Sequence, residues 1–123
     1  MGLELLTVCN NILVVDCSLL NSKTFAMMYE AYGCEVTWAT DIAGVVSMVF
    51  DNPVDVVVMG ESFGRKSGKQ LREALKTIRP TLKLALLGSE PYVTSGTLLG
   101  ADFQLRPTHF VSDLRLYLSA KRT

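Results

Sequence analysis

The chain has 123 residues, 49% apolar and 20% charged, with a formal net charge of zero. That length holds one domain with a real core and is too short for two, and that composition excludes a disordered chain. A zero balance also excludes binding to polyanions through overall basicity.

Residues 1–10 read as a lead segment and residues 11–123 as a single domain. Ile12-Leu-Val-Val15 is a short apolar run of the kind buried on both faces of a parallel sheet, and it ends at Asp16. Ser18 suits the cap of a helix over about 19–32, carrying Leu20, Phe25, Met28 and Tyr32 at helical spacing, with Gly33 just past its end. Glu35-Val-Thr-Trp-Ala39 alternates, as an edge strand with one wetter face does.

Asp41 suits the cap of a helix lined by Ile42, Val45, Val46 and Val49, which Asn52-Pro53 ends. Residues 54–59 form the most apolar strand, three consecutive valines and Met59, stopping at Gly60. Residues 60–68 are glycine-rich and read as a loop. A helix over 69–79 presents Leu71, Leu75 and Ile78 and stops at Pro80. A fourth strand spans 82–87, a helix fits 91–99, and a short fifth strand spans 103–105. After Arg106-Pro107, Thr108 suits the cap of a last helix carrying Val111, Leu114 and Leu118. Strand and helix alternate five times with short connections, the pattern of a parallel sheet with helices on both faces.

Cys9, Cys17 and Cys34 lack close-pair spacing and His109 stands alone, which excludes a zinc cluster or disulfide framework and fits a reducing cytoplasmic setting. The start of the chain lacks a secretory pattern, Leu6 occupies the hydroxyl position of a myristoylation motif, and no run reaches a membrane span. The loop at 60–68 approaches a phosphate-binding Gly-x-x-x-x-Gly-Lys-Ser/Thr motif and misses it. Gly64 and Gly68 are one residue too close, Gln70 replaces the hydroxyl, and in the other frame Arg65 replaces the second glycine.

Charge is segregated along the chain. Residues 1–64 carry eight acids against one base, and residues 65–123 carry eleven bases against four acids. Such asymmetry points to an electrostatic partner or to self-association, including a homodimer. Arg65, Lys66, Lys69, Arg72, Lys76, Arg79 and Lys83 recur mostly at three- and four-residue steps. The plain reading is a solvated helix face, and the sharper one is a docking stripe for an acidic protein surface or a phosphate backbone. No aromatic residues interleave it to stack on nucleic-acid bases.

At the carboxyl ends of the strands stand Asp16-Cys17, Gly60, Gly88-Ser89 and Arg106-Pro107. With Ile12-Leu-Val-Val-Asp16, Asp55-Val-Val-Val-Met-Gly60, Gly68, Ala85-Leu-Leu-Gly-Ser-Glu90 and Gly100-Ala-Asp-Phe-Gln-Leu-Arg-Pro107, this set resembles the receiver domain of two-component response regulators over nearly the whole chain. The resemblance implies an α/β, CheY-like and flavodoxin-like fold, with a five-stranded parallel sheet of order 2-1-3-4-5. It also implies an acidic pair holding Mg²⁺, an Asp phosphoacceptor, a Ser or Thr and a Lys that contact the phosphoryl group, and an aromatic switch residue.

This chain departs from that set. Asp16 matches the first acid and Cys17 replaces the second, so a hard dication loses an oxygen donor. Gly60 stands at the acceptor, Gly88 at the hydroxyl position with Ser89 one place late, Arg106 at the lysine, and Gln104 beside Phe103 at the switch. A degenerate pseudo-receiver is expected: not an enzyme, binding Mg²⁺ weakly or not at all, and signalling through a protein partner. Asp16 is expected to approach Arg106 and hold the pocket in one state. Candidate contact surfaces are the basic stripe and the family's output face, here including Pro91, Tyr92, Phe103, Gln104, Leu116 and Tyr117. The alternatives are a phosphorelay receiver using Glu61 and a nucleic-acid-associated module using the stripe.

Overall fold

The computed structural model describes residues 11–15, 27, 30, 33, 35–88, 99–106, 112–114 and 116. Five strands make one sheet: β1 (Asn11–Val15), β2 (Glu35–Ala39), β3 (Val56–Gly60), β4 (Lys83–Leu87) and β5 (Phe103–Leu105). Their order is β2-β1-β3-β4-β5 and every pairing is parallel. This is the expected doubly wound α/β architecture of the CheY-like, flavodoxin-like type.

β3 is central because its sequence tolerates no wet face. Val56, Val57, Val58 and Met59 are all fully buried, and each such side chain contributes about 1.5–3 kcal/mol relative to exposure. Alternate residues feed two cores. Leu13, Val15, Val57, Met59, Leu84 and Leu86 pack on one face with two helices, α1 (Ile42–Asp51) and α2 (Glu61–Ile78). Ile12, Val14, Val56, Val58, Ala85, Leu87 and Leu105 fill the other face with Leu114. β2 is the edge strand expected from its alternation, and its Trp38 is partly exposed.

Asp41 caps α1 as expected, its Oδ1 accepting the Gly44 N–H at 2.8 Å. At the other end Asn52 closes the helix by donating its N–H to the Met48 carbonyl at 2.9 Å. Gly33 takes a left-handed φ of 85° after helical Glu30, the conformation that ends a helix.

The glycine-rich segment is a correction. Residues 61–68 are not a loop; α2 starts at Glu61, directly after β3. Gly64, Gly68, Leu71 and Leu75 form one buried helical face. Glycine inside a helix costs about 1 kcal/mol against alanine, and here close packing offsets it. A Cβ on Gly68 would overlap the Leu99 carbonyl oxygen, and one on Gly64 would lie 3.2 Å from the Leu86 and Leu99 methyls. The glycines make a notch that receives the Leu99–Gly100 turn. Both turn residues have positive φ, 56° and 98°.

Arg72 clamps this junction. Its Nε donates to the Gly100 carbonyl at 2.9 Å and its Nη2 to Asp102 Oδ1. The other Asp102 oxygen accepts the Leu84 N–H at 2.9 Å, while the Asp102 N–H donates to the Leu84 carbonyl at 2.7 Å. One arginine thereby joins α2 to the entry of β5 and to β4. Among the described residues, no helix is long and apolar enough to cross a membrane.

Candidate functional site

Of the strand ends singled out in the sequence, Gly60, Gly88 and Arg106 are among the described residues. Gly60 closes β3 opposite Leu87 of β4, is buried, and has extended backbone with φ −75° and ψ 164°. It occupies the N-cap of α2 without a side-chain cap. Glycine here brings neither a nucleophile nor an oxygen ligand.

Gly88 is held by backbone and amide contacts. Its N–H donates to the Leu105 carbonyl at 3.2 Å, and its carbonyl accepts Gln104 Nε2 at 2.9 Å. Gln104 is half-buried. The position expected to carry a rotating aromatic switch instead carries an amide hydrogen-bonded to the end of the neighbouring strand.

The expected pairing of Arg106 with Asp16 involves a residue outside the described ones; the described partner of Arg106 is Asp113. Arg106 grips Asp113 as a two-pronged fork, Nε to Oδ2 at 2.9 Å and Nη2 to Oδ1 at 2.7 Å, and its backbone N–H reaches Oδ2 at 3.1 Å. Asp113 lies in the helical turn 112–114, close along the chain, so local geometry supplies this acceptor. The hydrogen bond from Asp113, then its charge, raises the Arg106 pKa above the ordinary arginine value. Asp16, Cys17, Ser89, Tyr92 and Tyr117 lie outside the described residues, as do Pro91, residues 1–10 and most of the helices expected over 19–32, 91–99 and beyond 108.

The basic stripe divides by residue type. Arg65 pairs with Glu61 one turn earlier at 2.8 Å. Arg72 belongs to the clamp already described. Arg79 turns inward, donating to the Val49 carbonyl at 2.9 Å and, at 3.5 Å, to that of Val54, so it serves the C-terminal end of α1. Lys66, Lys69 and Lys76 stay exposed on α2, while Lys83 is half-buried in β4. The arginines of the expected docking stripe thus also make contacts within the fold, because arginine's planar fork satisfies several carbonyls or a carboxylate at once. Phe103 is half-buried against the second core. The α2 notch and the Arg72–Asp102 clamp were missed at the sequence level. The spacing of Gly64, Gly68, Leu71 and Leu75 was the signal that could have found the notch.

No protein-family model matches this chain, and no curated protein is similar to it in sequence. Solved structures do match its fold. The receiver domain of Francisella response regulator 1452 superposes with TM-score 0.71 at 19% identity, over 92% of this chain and 98% of that one. The Thermotoga maritima response regulator TrrA, solved with Mg²⁺ and beryllium fluoride, gives 0.72 at 18% over 90% and 97%. Vibrio cholerae chemotaxis protein CheY4 gives 0.70 at 18% over 93% and 98%. At these identities the shared property is the receiver fold.

Proposed function

We propose that this chain is a degenerate receiver domain that signals by binding a protein partner, without aspartyl phosphorylation. The observation that carries the reading is Gly60: the strand end that resembles the phosphoacceptor position is buried and has no side chain. Phosphoryl transfer to a receiver needs a carboxylate nucleophile in line with the donor, with Mg²⁺ and a cation offsetting the developing charge. Of the oxygen donors that would hold Mg²⁺, the sequence retains Asp16, has Cys17 for the second acid and has glycine for the third. The residues present do not fit the ion.

Two further contacts support a pocket held in one state. Gln104 is bonded to Gly88, and Arg106 is engaged by Asp113. The neighbouring carboxylate, Glu61, lies on the first turn of α2 and accepts from Arg65, which counts against its use as a substitute acceptor. Arg72 and Arg79 are engaged within the fold, which counts against a nucleic-acid surface built on the whole stripe. In this reading the domain acts in the cytoplasm.

The test is incubation of the full chain with acetyl phosphate and Mg²⁺, followed by intact-mass measurement. The expected product is unmodified protein. A covalent phosphoryl adduct mapping to Glu61 would establish the phosphorelay alternative instead.

A further inference from the structure

We infer that the chain associates with a second copy of itself, the lysine face of α2 on one copy meeting the acidic amino edge of the sheet on the other. The inference rests on how the fold sorts its charges, and it stands whether or not the domain is a signalling receiver.

All four described arginines are spent inside the fold. Arg65 and Arg106 hold carboxylates, Arg72 holds a carboxylate and a carbonyl, and Arg79 holds carbonyls. The lysines on α2 are treated differently. Lys66, Lys69 and Lys76 project from the exposed side of an 18-residue helix and have no ion-pair partner among the described residues. Glu73 shares that face, leaving it net positive.

The opposite charge collects at the amino ends of the strands. Glu35 opens β2 in register with Asn11 at the start of β1. Asp55 stands just before β3, and its carboxylate accepts the Asn11 N–H at 2.8 Å. Glu30 precedes this edge by one turn, its carbonyl accepting the Gly33 N–H, and Asp51 ends α1. Glu30, Glu35 and Asp51 are exposed and have no ion-pair partner among the described residues. The described parts of β1, β2 and α1 contain no lysine or arginine. Arg79 reaches this end only to donate to carbonyls, and Lys83 lies on β4, beyond β3.

Among the described residues, Lys66, Lys69 and Lys76 lie on α2 while Glu30, Glu35 and Asp51 lie on other elements, so exposed charge of opposite sign is carried by different parts of the fold. A second copy is the occupant whose complementary surface is on the page. The contact joins unlike surfaces, so it either closes as a two-fold pair or propagates. Being exposed, it is sensitive to salt.

Sedimentation velocity on the full chain tests this at about 10 mM ionic strength, where the Debye length is about 30 Å, and at about 1 M, where it is about 3 Å. The wild type is expected to sediment above the monomer at low salt and as a monomer at high salt. Reversing one face, by Lys66→Glu with Lys69→Glu and Lys76→Glu, or the other, by Glu30→Lys with Glu35→Lys and Asp51→Lys, is expected to give monomer throughout. Combining all six restores a net charge of zero and is expected to restore association. An equimolar mixture of the two single-face variants supplies the same reversed contact without joining the substitutions in one chain. A wild type monomeric at low salt overturns the inference. So do single-face variants that still associate, or failure of both the combined variant and the mixture to regain association.

Discussion

Replacing Gly68 by alanine is expected to destabilise the domain, although the same change in an open helix stabilises it. Alanine gains about 1 kcal/mol over glycine in a helix interior. At Gly68 the added Cβ overlaps the Leu99 carbonyl oxygen and also lies 3.2 Å from Met59 Cε. The carbonyl is backbone, held in a turn with two positive φ angles, and cannot swing aside as a side chain can. The helix must therefore move off the turn. Overpacking of this kind costs about 1–3 kcal/mol. Displacement also stretches the bonds from Arg72 to Gly100 and Asp102, and hydrogen bonds to charged groups are worth about 1.5–3 kcal/mol each. Counting the overpacking and the loss of one such bond, and subtracting the helix gain, the expected loss is about 2–5 kcal/mol. Gly64→Ala is the internal control: its new Cβ meets only methyl groups at 3.2–3.5 Å, which can shift, so a change within about 1 kcal/mol is expected. Urea unfolding followed by far-ultraviolet circular dichroism measures both. If Gly68→Ala is neutral or stabilising, the notch is not packed as described and the start of α2 at Glu61 loses its explanation.

Asp102→Ala leaves the Leu84 N–H without its carboxylate acceptor and frees Arg72, so a loss of about 2–3 kcal/mol is expected, with faster hydrogen exchange at the Leu84 amide. Arg79→Ala removes the donor to the Val49 carbonyl at the end of α1 and is expected to lower stability by about 1 kcal/mol in the same denaturation assay. Arg106→Ala is expected to leave the unfolding midpoint unchanged, since the Arg106 guanidinium is exposed. The folded chain holds the Arg106 proton more tightly than the unfolded one. Whatever the pair contributes is therefore complete below the ordinary arginine range and lost only above it, and a midpoint scan across neutral pH should show no transition from this group.

The strands were legible because their signal is local. Three consecutive valines before Gly60 leave no wet face, and Asp41 announces α1 because its carboxylate needs only the backbone three residues on. The beginning of α2 was not legible because glycine serves two purposes. In a turn it supplies unusual backbone angles, and in a helix it supplies a surface close enough to touch; only the arrival of Leu99 from a distant part of the chain decides between them. The Arg106–Asp113 pair was not legible for a related reason: it depends on how the helical turn at 112–114 is set against the end of β5. Spacing gave the basic residues a common face, but Arg72 and Arg79 can reach past it to carbonyls and carboxylates that spacing does not display. Gly60 was legible as the stop of the most apolar strand. That it caps a helix running straight from the strand was not.

If Gly60 leaves the domain without an acceptor, it takes no phosphoryl group and does not switch in response to one. Beryllium fluoride with Mg²⁺ mimics a phosphoryl group on a receptive carboxylate, so the most direct measurement is a two-dimensional amide NMR spectrum with and without it. The expected result is superimposable spectra, with the amides of Gly60, Gly88, Gln104 and Arg106 unmoved. A saturable shift centred on those four residues would contradict the account.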